Sequence, residues 1–322
     1  MNYVVLDLEW NMGSAKKELK MMPFEIIEIG AVKLNSEKKE TDRFSRLIRP
    51  RVYKKMHRIN SSIVHLSNKD LKDAESFEIV YSEFQEFLGP EPVMFCTWGD
   101  SDLTELQRNI RFFNLIPLSL GPIEFLDVQK LYGYSKDSPK ERLSLKKAAE
   151  ELSIPETTGF HRALGDAIYT AGILEHIDKK WEKYTSFNTY HTPDTADDEI
   201  LRSYGSYVKH ISKCFFEKGQ ILKEKRIKSL RCPICGEKLK KELPWFTLNH
   251  KHYLTKGVCE KHGDVRSKIR IKKDEIKHGV YAVKTTRLMN REEALLLLEK
   301  YKKAEEKKEA LGDQKSILSK SD

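Results

Sequence analysis

The chain has 322 residues, room for two domains of ordinary size. Its 39% hydrophobic, 10% aromatic and 33% charged residues fit a folded chain and exclude a low-aromatic disordered one. No apolar run reaches membrane-spanning length, so no membrane partner is expected. The formal net charge is +9, and it is unevenly placed. Residues 1–180 hold 26 Lys+Arg against 28 Asp+Glu, whereas residues 181–322 hold 32 against 21. A basic excess of that kind fits either a polyanionic partner or a solvated Lys-rich surface. The start, MNYVVLDLEWN, lacks a basic leader and is broken by Asp7 and Glu9, so a signal peptide is not expected.

In chain order, residues 3–8 predict a buried strand, followed by a loop through Met22 and Pro23. Residues 25–34 and 43–49 predict two more strands, the latter ending at Pro50. Phe77, Val80, Phe84 and Phe87 recur at helical spacing, so 76–88 predicts a helix with Ser76 as N-cap and Gly89-Pro90 as stop. Strands follow at 92–98 and 122–128, separated by a helix with Leu103, Leu106 and Ile110 on one face. Two further helices are predicted near 143–152 and 163–178. Three strands in a meander and then strand–helix alternation predict an α/β layer fold. Residues 181–200 predict a polar linker, 200–230 a basic helical stretch, and 291 onward a charged helix whose last ten residues fray.

Asp7 and Glu9 stand two apart on the first strand, so both carboxylates point to the same side. Two such charges at a strand end repel unless a cation lies between them, which suggests a divalent metal. Asp100 and Asp102 follow the fourth strand, where both fit helix capping and first-turn roles. His161 and Asp166 open the last helix of this half, with His161 just before it.

Taken together, Asp7-Leu8-Glu9, Asp102 with Leu103 and Leu106, and His161 with Asp166 resemble the three motifs of the DEDDh family of 3′→5′ exonucleases. Residues 26–32 (IIEIGAV) look like that family's second strand. The stretch from Cys96 to Leu103 is similar to the Eri-like branch, which includes the bacterial KapD-type proteins. The resemblance covers about residues 1–180 and implies a ribonuclease-H-like mixed sheet flanked by helices. It favours Asp102 over Asp100. It implies that Asp7, Glu9, Asp102 and Asp166 hold two Mg²⁺ or Mn²⁺ ions, that His161 is the general base, and that the backbone at Leu8 and Glu9 reads the 3′-terminal hydroxyl. His65 resembles a nucleotide-contacting histidine, and it also fits a helix-flanking surface position.

Five cysteines in an intracellular-looking chain argue against a disulfide framework. Cys232-Pro-Ile-Cys235-Gly and Cys259-Glu-Lys-His262-Gly are two knuckle-like pairs with 23 residues between Cys235 and Cys259. That pattern predicts a small β-rich zinc ribbon with one structural Zn²⁺, His250 and His252 being rival fourth ligands. Cys96 reads as a core thiol and Cys214 as a helix thiol. Trp245, Phe246 and Tyr253 interleave with lysines, and Arg266, Lys268, Arg270 and Lys272 alternate along a strand, a pattern suited to a nucleic-acid backbone. The expected organisation is an exonuclease domain at 1–182, a linker and basic helical segment at 183–230, a basic zinc ribbon at 231–290, and a charged helix and tail at 291–322. The expected protein is a cytoplasmic, metal-dependent exonuclease acting on single-stranded nucleic acid, with RNA favoured. A proofreading-type DNA exonuclease and a non-catalytic binding regulator are the alternatives.

Overall fold

The computed structural model describes residues 1–13, 21–138, 141–156 and 159–318. The chain divides into two compact units, Met1–Tyr190 and His191–Asp322.

The first unit is a six-stranded mixed sheet with helices on both faces. Its strands are β1 (Asn2–Met12), β2 (Phe24–Leu34), β3 (Glu40–Leu47), β4 (Val93–Thr97), β5 (Ile123–Asp127) and β6 (Ser186–Asn188), in the order β3-β2-β1-β4-β5-β6. The meander β1-β2-β3 is antiparallel, β4 and β5 run parallel to β1, and β6 closes the edge antiparallel to β5. The helices are α1 (Arg58–Val64), α2 (Phe77–Leu88), α3 (Ser101–Phe112), α4 (Val128–Ser135), α5 (Leu145–Glu151) and α6 (Ala163–His176). Alternation along β1 sorts its side chains onto two cores. Val4, Leu6 and Leu8 pack with residues of α2 and α3, and Tyr3 and Val5 pack with residues of α4, α5 and α6.

Several expectations need adjustment. β1 runs four residues past Leu8, and residues 14–20 of the expected loop lie outside the described residues. Ser76 and Asp100 occupy N-cap positions without a side-chain capping bond. Helices α1 and α4 and strand β6 had no sequence signal strong enough to separate them from loops. The residues of β6, beyond the expected domain end at 182, pair with β5 and belong to the first sheet.

The second unit is an antiparallel six-stranded sheet, β7 (Ile200–Ser203), β8 (Tyr207–Ile211), β9 (Lys241–Thr247), β10 (His252–Cys259), β11 (Gly263–Lys273) and β12 (Val280–Leu288), in the order β7-β8-β12-β11-β10-β9. The helical expectation for 200–230 is therefore corrected. Its first third forms the β7-β8 hairpin, turning at Gly205 with φ 78°, and only α7 (Lys218–Lys223) and α8 (Lys225–Lys228) are helical. The β-branched and aromatic residues of Tyr207–Ile211 decide the local structure there. Cys214 precedes α7 and is not a helix residue. Helix α9 (Arg291–Leu318) is not detached: Leu297 and Ala304 are buried with Leu243 and Phe246 of β9. It extends into the ten-residue stretch expected to fray, and 319–322 lie outside the described residues. Among the described residues no helix is long and apolar enough to cross a membrane.

Candidate active site and candidate metal centre

Asp7 and Glu9 continue the side of β1 that Tyr3 and Val5 begin, so they face α6. Their register partners on β2 are Gly30 and Glu28. A Cβ at Gly30 would collide with the backbone of Ala163 and Leu164. Glycine there lets the first turn of α6 lie directly on the sheet beside Asp7. Asp166, one turn in, thereby joins Asp7 and Glu9, and the three carboxylates present oxygens all within 4.8 Å of one another.

Asp102 is buried in the first turn of α3 and stands outside that group of three. Pairing of β1 with β4 ends at Val5 and Cys96, so beyond Val5 the β1 edge is open on that side. Asp102 meets it by accepting the Leu8 backbone N–H, and its charge acts on Asp7. Asp100 is exposed. Hence Asp102, not Asp100, is the acidic residue of that turn that reaches β1.

The electrostatics carry the mark of uncompensated charge. Burial, then Asp102, Asp166, Glu9 and Glu28, push the Asp7 carboxyl well above its usual range. Glu9 is pushed up to about 8, mainly by burial and by Asp166, with Arg162 opposing. Burial also raises Asp102 and Asp166. Hard oxygen donors that repel one another when ionised fit Mg²⁺ or Mn²⁺.

His161 lies two residues before α6 with φ 66°, a left-handed conformation unusual for a non-glycine residue. Its backbone N–H donates to Asp166 Oδ1 at 3.3 Å, and its side chain is exposed. The adjacent Arg162 forms a two-pronged bond to buried Glu28, at 3.0 and 2.9 Å, and Ala163 N–H donates to the same carboxylate at 3.4 Å. Glu28 and Arg162 thus fasten the start of α6 to β2. Neither was singled out from the sequence as a site residue; the signal available was an acidic residue between the apolar Ile27 and Ile29 of β2. His65 caps α1 with φ 53°, exposed and outside the carboxylate group.

The second cluster is built by two turns. At the first, Gly236 N–H donates to Cys232 O at 3.0 Å, and Gly236 has φ 73°. At the second, between β10 and β11, His262 N–H donates to Cys259 O at 3.2 Å and Gly263 has φ 82°. Cys232, Cys235, Cys259 and His262 offer ligand atoms within 4.8 Å of one another, and His250 and His252 are not among them. The Cys235–Cys259 sulfur separation is 3.7 Å, and His262 Nδ1 is 3.5 Å from the sulfurs of both Cys232 and Cys259. A tetrahedron with Zn–S of about 2.3 Å and Zn–N of about 2.0–2.1 Å has edges of roughly 3.8 and 3.6 Å, so the donor set fits Zn²⁺.

The expected basic and aromatic surface is only partly open. Arg270 is exposed, but Arg266 and Lys268 are half-buried on the face that α9 shares, and Arg266 Nε is buried without a hydrogen-bond partner. Trp245 is half-buried and donates from Nε1 to Lys228 O at 3.0 Å, and Phe246 and Tyr253 are core residues. These aromatics are used for packing, which strand alternation alone could not reveal.

An α/β layer with a leading antiparallel meander, parallel central strands and carboxylates gathered on the first strand just past its pairing with the parallel neighbour is the architecture of ribonuclease-H-like nucleases. A family profile described as Exonuclease matches residues 4–174, just over half of the chain, and the chain belongs to this family of 3′→5′ exonucleases. It is 29% identical over 178 residues to the probable 3′-5′ exonuclease KapD of Bacillus subtilis, covering 55% of this chain and 84% of that protein. It is 30% identical over 191 residues to DNA polymerase III subunit epsilon of Aquifex aeolicus, covering 56% of this chain and 83% of that protein. Among solved structures, the nuclease domain of 3′hExo, described as a DEDDh family member bound to rAMP, aligns with 19% identity and a TM-score of 0.48 over 54% of this chain and 90% of that one. Cell-death related nuclease 4 aligns with 20% identity and a TM-score of 0.46, over 54% of this chain and 62% of that one.

Proposed function

We propose that the Met1–Tyr190 unit removes nucleotides one at a time from the 3′ end of single-stranded RNA, releasing nucleoside 5′-monophosphates. The observation that carries this is the convergence of Asp7, Glu9 and Asp166 within 4.8 Å, with Asp102 acting on Asp7 from α3. These four would hold two Mg²⁺ or Mn²⁺ ions, which when bound supply a nucleophilic water and neutralise the leaving 3′-oxygen. Glu28 and Arg162 fix the start of α6, and so the position of Asp166 and His161. His161, exposed beside Asp166 and free of the carboxylate group, takes the proton from the attacking water. Leu8 and Glu9 backbone groups meet the terminal nucleotide, and His65 contacts it from the C-terminal cap of α1. Cys232, Cys235, Cys259 and His262 hold one structural Zn²⁺, and Arg270, with Arg266 and Lys268 beside it, adds backbone attraction. The reducing cytoplasm suits three unpaired thiols at one centre.

RNA is favoured by the likeness of residues 96–103 to the Eri-like branch. DNA is the second reading, favoured by the 30% identity to a DNA polymerase subunit. Matching single-stranded RNA and DNA decamers, incubated separately with the protein and Mg²⁺, decide between them. Faster release of 5′-monophosphates from RNA is expected. Equal or faster release from DNA moves the assignment to the second reading, and no release from either leaves a binding protein.

A further inference from the structure

The sheet of the second unit has one face on which Val265, Ile269 and Ala282 pack under α7, α8 and the Cys232 turn. The register continues that face onto the next two strands. Lys284 pairs with His210 and His210 with Leu201, while Thr286 pairs with Val208 and Val208 with Ser203. Over β8 and β7 the helices and the turn no longer cover it, and a cavity of about 890 Å³ opens there. Its floor is the row Leu201, His210, Lys284 and the row Ser203, Val208, Thr286; its walls are α8 and the Cys232–Gly236 turn.

Basic side chains outnumber acidic ones in this cavity. Lys225, Arg226, Arg231, Lys238 and Lys284 line it, against Glu199 as the acidic lining residue. Glu199 is already engaged: it accepts from Lys213 N–H at 3.2 Å, and its oxygens lie 2.8 Å from His210 Nε2 and 3.5 Å from Arg226. Lys284 is different. It is 8% exposed, and its ammonium donates to a neutral carbonyl, that of Ser229. Burial, and then the positive charges of Lys241 and Arg231, bring it down to about 8. A buried cation among cations is costly unless an anion joins it. Apolar surface stands beside this charge: Leu201 is 73% and Ile234 48% exposed.

We propose that this cavity is a second nucleotide site, in which Lys284 and Arg231 hold a phosphate while Leu201, Val208 and Ile234 receive the base. The occupant is one nucleotide unit of single-stranded nucleic acid, bound away from the hydrolysed bond and using none of Asp7, Glu9, Asp102 or Asp166. The site is distinct from the Arg266–Arg270 strand face, because successive residues of a strand point to opposite sides of the sheet. It rests on the nuclease reading only for the source of the nucleotide.

The test uses the full chain carrying Asp7→Asn, so that a strand stays uncut. Hydrogen exchange is measured alone, with a ten-nucleotide oligouridylate, and with AMP. The oligouridylate is expected to slow exchange in 200–211, 225–238 and 280–288. Adding Lys284→Met should weaken its binding roughly tenfold, the scale of one charge-assisted hydrogen bond. Because Lys284→Met alters a buried residue, the exposed pair Lys225→Glu and Lys238→Glu is run beside it, with melting temperatures confirming the fold. Protection by AMP without the oligouridylate would assign the site to free mononucleotide and overturn the strand assignment. Absence of protection by either probe, or unchanged affinity in both folded variants, overturns the site itself. Local protection in a chain whose wild type releases no nucleotide would overturn the proposed hydrolysis and leave the site standing.

Discussion

The two ligand clusters differ in how they are held and in what they do to the fold. Cys232, Cys235, Cys259 and His262 come from two glycine-ended turns whose local hydrogen bonds set the donors at tetrahedral distances. Asp166 lies 157 residues from Glu9 and 159 from Asp7 in sequence, and it is brought to them by strand pairing, by the contact of α6 with Gly30 and by the Glu28–Arg162 pair. In the first case the donors stand close enough for one metal ion to join them. In the second, burial and mutual repulsion work against the ionised residues, and the fold around them must absorb that cost. A closed cluster supports structure, while an open, strained one is available for chemistry.

The largest expected effect separates these roles. Asp7→Asn should lower turnover by at least about 10³-fold, since it removes charge at the centre of the carboxylate group. The same change should hold or raise the melting temperature of protein free of Mg²⁺ and Mn²⁺, because it relieves repulsion. Calorimetry and a nucleotide-release assay check both halves; a large loss of stability would mean that the two clusters do not differ in this way.

Next comes His161→Ala, which should reduce kcat by about 10²–10⁴-fold, the usual cost of losing a general base. Binding of Mn²⁺ should persist, because the carboxylates are untouched. A pH–rate profile identical to that of the wild type would contradict the role.

The thiolate cluster should respond in the opposite sense to Asp7. Cys235→Ser is expected to lower the melting temperature of the second unit by roughly 5–10 °C and to weaken zinc retention, read by metal analysis. Little change in either would remove the structural contrast.

The smallest effect is a pH dependence. The carboxyls of Asp7, Glu9 and Asp166 titrate above their usual range, Glu9 at about 8. Between about pH 4 and pH 8 these groups therefore hold more protons in the folded protein than in the unfolded chain, and their contribution to stability falls as pH rises. Thermal melts of protein free of Mg²⁺ and Mn²⁺ should decline by a few degrees from about pH 5 to about pH 8. Asp7→Asn or saturating Mg²⁺ should flatten that decline; a rise with pH would show the sign to be wrong.

Much of the first unit was legible because its signals are local. Period-two alternation puts Asp7 and Glu9 on one side of β1, and helical spacing marks α2 and α3. The two C-x2-C/H pairs likewise announce their own geometry. What the sequence could not show is contact made at a distance. Gly30 reads as an ordinary strand glycine until α6 is seen resting on it, and Glu28 matters because Arg162 reaches it from 134 residues away. The β7-β8 hairpin, whose two strands are only four and five residues long, was missed, and with it the cavity beside Lys284. Trp245 and Phe246 looked like surface aromatics because nothing local shows that α8 and α9 cover their neighbourhoods.

The most direct test is turnover of a 5′-labelled single-stranded RNA by the wild-type and Asp7→Asn proteins at saturating Mn²⁺. The wild type is predicted to shorten the label stepwise from the 3′ end, and the folded variant to leave it intact. Near wild-type shortening by the variant, or shortening by the wild type without any divalent ion, would contradict the assignment of the carboxylate cluster.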